Sequence, residues 1–187
     1  MQKVCCIGTH GSGKTTLCYQ QAAYYKTIGK NVKLINETAR SCPFALNHQF
    51  NAYGAMWIIH MHIVKELEAM SRNADIIICD RSPMDSIMYA LATGCTVGQQ
   101  MKNLYKMSED WMETYDKIYY VRPDGNDAIP DGIRSTDETF RKKIEDHFDD
   151  WMEKCSMGVQ NKILIIKSSS VFSERECWIK EKVNQNG

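Results

Sequence analysis

Gly8-Thr9-His10-Gly11-Ser12-Gly13-Lys14-Thr15 sets three glycines, a lysine and a hydroxyl at fixed spacing directly behind the apolar run Val4-Cys5-Cys6-Ile7. In a turn of this kind the backbone N–H groups can all point inward around a phosphate, because glycine has no Cβ to obstruct them. Lys14 brings a point charge to the β- and γ-phosphates, and Thr15 offers a hydroxyl to Mg²⁺. Thr16 leads into helix formers, so the partial positive charge of a helix N-terminus adds to the cradle. The chemistry implied is the holding of a nucleoside triphosphate by residues 8–16.

Other residues could act beside it. Asp80 closes the run Ile76-Ile77-Ile78-Cys79, a position from which an acid reaches Mg²⁺ directly or through water. Its alternative role is simply to end a strand. Arg81 can grip a phosphate bidentately or fix the acceptor, or it can serve a structural ion pair. Glu37 is the second carboxylate, suited to act as acid or base on an acceptor hydroxyl; the alternatives are a helix cap or a partner for Arg40, and Asp80 competes for the role of base. Arg134, ahead of a helix predicted over Thr136 to Met157, and Arg141 within it can close over the transferring phosphate. Ser135 or Thr136 is the expected cap of that helix. Phe50, Tyr53, Trp57, His60, Met61 and Val64 recur at helical spacing. Most of that stripe is expected in the core, with Phe50, Tyr53 or Trp57 free at its N-terminal end to stack on a flat acceptor group such as a nucleobase.

The elements that must position these residues alternate along the chain. Strands are predicted over Lys3 to Gly8, Asn31 to Asn36, Asp75 to Asp80, Lys117 to Val121 and Lys162 to Lys167. Between them lie predicted helices over Lys14 to Ile28, Asn47 to Ser71, a pair within Met84 to Tyr115, Thr136 to Met157 and Ser173 to Val183. That alternation predicts one α/β domain over residues 1–187, a mostly parallel sheet covered on both faces. Ligands in such a sheet bind beyond the carboxyl ends of the strands, where Glu37, Asp80 and Arg81 fall.

Composition sets the outer limits. The 187 residues are 43% apolar and 25% charged, ordinary for a globular protein, with 23 basic and 23 acidic side chains. A balanced net charge advertises neither nucleic acid nor an anionic membrane. The eight cysteines include no C-x-x-C pair, so they read as reduced small hydrophobes. With no signal peptide and no membrane-spanning run, the expected compartment is cytoplasmic.

The phosphate loop, Glu37-Thr38-Ala39-Arg40, Trp57-Ile58-Ile59-His60, Asp80-Arg81-Ser82-Pro83-Met84-Asp85 and the stretch Asp131 to Glu138 together resemble the P-loop nucleoside and nucleotide kinases. That family includes nicotinamide-riboside-kinase-like domains and often carries a generic AAA-type ATPase label. The resemblance implies a five-stranded parallel sheet of order 2-3-1-4-5 and a helical lid at about residues 123–145 bearing Arg134 and Arg141. It implies ATP and Mg²⁺ as cofactors, Glu37 as base, and Arg40, Gln49 and Arg81 among the acceptor contacts. The acceptor it implies is nucleoside-like. A 5-hydroxymethyl pyrimidine in DNA, as in certain phage kinases, stays open as an alternative, as does a homodimer. The alternative from another class is a regulatory P-loop NTPase.

Overall fold

The computed structural model describes residues 1–95, 98–124 and 137–173. Among these, five strands form one parallel sheet: β1 (Gln2–Ile7), β2 (Val32–Ile35), β3 (Ile76–Asp80), β4 (Lys117–Arg122) and β5 (Ile163–Lys167), in the order β2-β3-β1-β4-β5. The doubly wound fold and its sheet order are those the sequence and its resemblance implied. The helices are α1 (Lys14–Thr27), α2 (Ala52–Met70), α3 (Pro83–Ala92), α4 (Gln99–Met112), α5 (Glu138–Lys154), α6 (Met157–Gln160) and α7 (Ser168–Ser173).

Central strands read as unbroken apolar runs because both faces are covered. Alternate residues divide between two cores. Cys5, Ile7, Ile77, Cys79, Ile118 and Tyr120 face a larger one with α2 to α5, while Val4, Cys6, Ile76, Ile78 and Val121 face a smaller one with α1. The seven described cysteines are free, and four of them, Cys5, Cys6, Cys18 and Cys79, are wholly buried. Among the described residues no helix is long and apolar enough to cross a membrane.

Three expectations are corrected. The helix foreseen over Asn47 to Ser71 is divided: a 3-10 turn spans Asn47–Gln49, and α2 starts only after Asn51, whose side chain caps Tyr53 and Gly54. Much of the stripe expected in the core faces outward, although Phe50, ahead of the helix, is buried and Trp57 packs against the core. Tyr53 and Val64 are 64% and 44% exposed, and the buried face of α2 instead carries Ile58, Ile59, His62, Glu66 and Ala69. Hydrophobic periodicity discounts a His and a Glu, so it chose the wrong side. Finally, α5 is capped by Asp137, which accepts from the backbone of Thr139 and Phe140, and it ends at Cys155, where Ser156 caps the short α6. The stripe Phe140, Ile144, Phe148, Trp151 and Cys155 is buried as expected. The helix foreseen over Ser173 to Val183 lies outside the described residues, apart from its first.

Candidate active site

The loop after β1 turns through Gly8, Gly11 and Gly13, all at positive φ, and Gly13 starts α1 from the left-handed region. Gly8 is tied by space as well as by conformation: a Cβ there would stand 2.8 Å from the carbonyl of Val121 on β4. Gly8→Ala should therefore destabilise the fold by about 3 kcal/mol. Urea unfolding reads this as a lowered midpoint, and an unchanged midpoint would refute the clash.

Thr9, His10, Ser12 and Lys14 are buried in the loop, and Thr16 continues α1. Ser12 Oγ donates to the Thr9 carbonyl at 3.0 Å. Lys14 Nζ donates to that same carbonyl and to Ser12 Oγ. The lysine thus occupies the loop's own acceptors. Burial lowers its ammonium to about 7, with the Arg81 charge acting in the same direction.

Asp80 ends β3 in register with Cys6, which brings it beside the loop. Its Oδ2 accepts from Thr15 Oγ1 at 2.6 Å, so two hard oxygen donors meet where a magnesium ion would find the ligands it prefers. Arg81 follows at φ +84°, a left-handed conformation rare for a side-chain-bearing residue, its N–H donating to the Cys6 carbonyl. This turn directs the guanidinium across the cleft. Arg81 Nε lies 2.5 Å from Glu37 Oε1, Nη1 is 3.4 Å from both the Gly8 carbonyl and Asp85 Oδ1, and Nη2 is 3.4 Å from the Tyr89 hydroxyl. Burial alone would lower the Arg81 guanidinium, but Glu37, Tyr89 and Asp85 outweigh it and hold the group charged. Glu37 Oε2 accepts from Arg40 Nε at 3.1 Å.

Asp85, quoted in the sequence only as part of the resemblance, and Tyr89 were given no role there. Asp85 Oδ1 accepts from the Gly8 backbone at 3.3 Å, and its Oδ2 takes the Ser82 N–H and hydroxyl, both at 2.9 Å. It therefore ties the phosphate loop to the start of α3. Burial raises its carboxyl, and Arg81 and Lys14 temper the shift. The signal was present: Ser82-Pro83-Met84-Asp85 is a capping-box pattern immediately behind the acid-arginine pair. Tyr89 lies one turn further along α3, its ring 5.0 Å below the Arg81 guanidinium and its hydroxyl 3.1 Å from His10 Nδ1.

These residues open onto a cleft of about 660 Å³, counting the part open to solvent. His10, Glu37, Arg40, Arg81, Asp85 and Tyr89 line one side, and Leu46, Phe50 and Ile58 supply an apolar wall. Phe50 belongs to that wall, but Gln49, Tyr53 and Trp57 do not line the cleft. Gln49 is exposed, and Tyr53 stacks on Phe44 at 6.4 Å. Phe50 precedes the cap Asn51 in extended backbone, so it does not share the phase of the helix that turns Tyr53 outward. Arg141 is mostly buried on α5 with Nε 3.8 Å from Glu145 Oε1. Arg134 and most of the expected lid lie outside the described residues.

Compared with known proteins, the chain matches over residues 3–173 a family model described as an AAA domain. No curated protein matches it. Solved structures that share its fold include the deoxyadenosine kinase of M. mycoides with bound dATP, at TM-score 0.65 and 15% identity over 98% of both chains. Another is the thymidylate kinase of Ehrlichia chaffeensis, at TM-score 0.66 and 20% identity over 100% of this chain and 98% of that one. At these identities the likeness is one of fold.

Proposed function

Because the chain belongs to this AAA-domain family, we propose that it is an ATP- and Mg²⁺-dependent kinase that transfers the γ-phosphate to a hydroxyl of a nucleoside-like acceptor. The observation that carries the reading is the Glu37–Arg81 pair, set at 2.5 Å in the cleft that begins at the phosphate loop. Hydrolysis alone has no use for an apolar-walled recess behind a carboxylate. An acceptor with a flat ring and a hydroxyl does.

In this reading the loop amides and Lys14 hold the β- and γ-phosphates, and Thr15 and Asp80 hold Mg²⁺. The ion supplies charge compensation on the phosphate oxygens. Glu37 takes the proton of the acceptor hydroxyl, and Arg81 orients Glu37 while adding positive charge where the phosphoryl group passes. Arg40 steadies the other Glu37 oxygen. Phe50 stacks on or abuts the acceptor ring, and Arg134 and Arg141 complete the charge from the lid side.

Lys14 gives the reading a proton signature. With burial holding its ammonium near 7, bound phosphates would restore full protonation, so nucleotide binding takes up a proton. ATP affinity should then fall as pH rises above neutrality. Calorimetry at pH 8 in two buffers of different ionisation enthalpy should give unequal apparent enthalpies, and equal ones would refute the linkage.

The deciding experiment is ATP consumption with Mg²⁺ against ribo- and deoxynucleosides, their monophosphates, nicotinamide riboside, and DNA with and without 5-hydroxymethyluracil. Label recovered on one acceptor establishes the kinase and names its substrate, including the DNA case. Steady hydrolysis that no acceptor changes overturns the proposal in favour of a regulatory NTPase.

A further inference from the structure

Behind the acceptor side of the cleft runs a chain of buried polar groups that the transfer reaction does not itself use. Thr38 and His62 both line the cleft. Thr38 Oγ1 lies 3.2 Å from His62 Nδ1 and accepts from Lys65 Nζ at 3.3 Å. One helical turn on, Glu66 Oε1 stands 3.1 Å from His62 Nε2, close in distance but bent away from the straight N–H line. Glu66 has no exposed surface; Lys3 Nζ at 2.7 Å and Trp111 Nε1 at 2.9 Å reach its Oε2, and the Tyr115 hydroxyl donates to Oε1. Burial alone would raise this carboxyl, yet His62 and Lys3 hold it down to about 2.

Donor atoms of His62, Glu66 and Cys79 lie within 4.8 Å of one another, a spacing a metal ion could bridge. The Lys3 ammonium already supplies the positive charge there, and both Glu66 oxygens are engaged. The cluster is an ion-paired network.

In the neutral imidazole, an ionised carboxylate beside Nε2 keeps the single ring proton on that nitrogen. Nδ1 is then an acceptor, and the Thr38 hydroxyl must donate to it. Thr38 is the first residue of the 3-10 turn Thr38–Ser41 and follows Glu37 directly, whose side chain makes no capping bond to the turn. Glu37 is thereby held twice, at its carboxylate by Arg81 and Arg40 and at its backbone through Thr38. Resting on the kinase reading, we propose that His62, oriented by Glu66, is a positioning residue that pins the Thr38 hydroxyl and so holds Glu37 against Arg81 in the cleft.

Nitrogen-15 spectra of the histidine side chains, with His62 assigned through His62→Gln, should show the Nε2–H tautomer, and the Nδ1 resonance should move in Thr38→Val. The same spectra show whether each variant is folded. In transfer from ATP to deoxyadenosine and thymidine as probes, Thr38→Val should lower kcat about tenfold with the KM for ATP unchanged, and Thr38→Ser should keep the native rate. The Nδ1–H tautomer, or a resonance unmoved by Thr38→Val, overturns the anchor. A Thr38→Val variant as active as the native protein, or a Thr38→Ser variant as damaged as Thr38→Val, overturns the positioning role. If the native protein phosphorylates no probe, the kinase reading falls separately and the tautomer decides the anchor alone.

Discussion

Lys14→Ala should lose phosphoryl transfer by about a thousandfold, read as label moved from γ-labelled ATP to the acceptor, while remaining folded. The two halves of that result have separate causes. On the proposed reading, transfer fails because the loop loses the lysine charge that would meet the β- and γ-phosphates, in a buried setting where charge acts strongly. The fold survives because the lysine is a cost to it. A lysine whose folded pKa lies near 7, below its unfolded value, binds its proton more weakly in the native state. That penalty is complete below neutral pH and disappears as pH rises toward the ordinary lysine range. Melting of Lys14→Ala at pH 6 should therefore match or exceed that of the native protein. Full transfer activity in the variant would remove the central claim, and a collapsed melting point would make the lysine a structural residue.

Glu37→Gln should lower kcat by about a hundredfold or more while ATP binds almost as before. Glutamine preserves the length of the side chain and a carbonyl oxygen for Arg81, which Glu37 meets at 2.5 Å, but it cannot take a proton. The loss belongs to the chemical step, so it should appear in single-turnover rates and leave the KM for ATP in place. Glu37→Asp keeps the charge with a shorter reach and should recover part of the rate. An unchanged rate in Glu37→Gln would leave Asp80 as the base or show that none is required.

How much of this was legible in the sequence depended on what each residue's neighbours could reveal. The loop was legible because a phosphate cradle restricts backbone as well as side chains: Gly8, Gly11 and Gly13 sit at positive φ. The five strands were legible because burial on both faces leaves an apolar run that charges and turn residues interrupt. Asp85 and Tyr89 were missed because their partners come from elsewhere in the chain, Gly8 for one and His10 for the other. A helix-face pattern records which residues are apolar, and both were absorbed into the reading of α3. The acceptor wall failed differently. Phe50, Tyr53 and Trp57 share a spacing, but that spacing has meaning only inside a helix, and α2 begins after Phe50. The His62–Glu66 face stayed invisible because its burial rests on Lys3, 63 residues away from Glu66.

The place of β1 in the sheet has a consequence for synthesis. Cys6 pairs with Asp80 on one side, and Ile7 with Tyr120 on the other. The strand that launches the loop leaves the ribosome well before both of its neighbours, β3 (Ile76–Asp80) and β4 (Lys117–Arg122). Contacts of such long range are slow to form, because the intervening chain must be ordered before they are rewarded. A nascent or truncated chain ending before Lys117 would carry the whole glycine-rich motif without the β4 backbone against which Gly8 is packed. The motif is complete by Thr16, whereas the backbone its first glycine packs against arrives only with β4, about a hundred residues later.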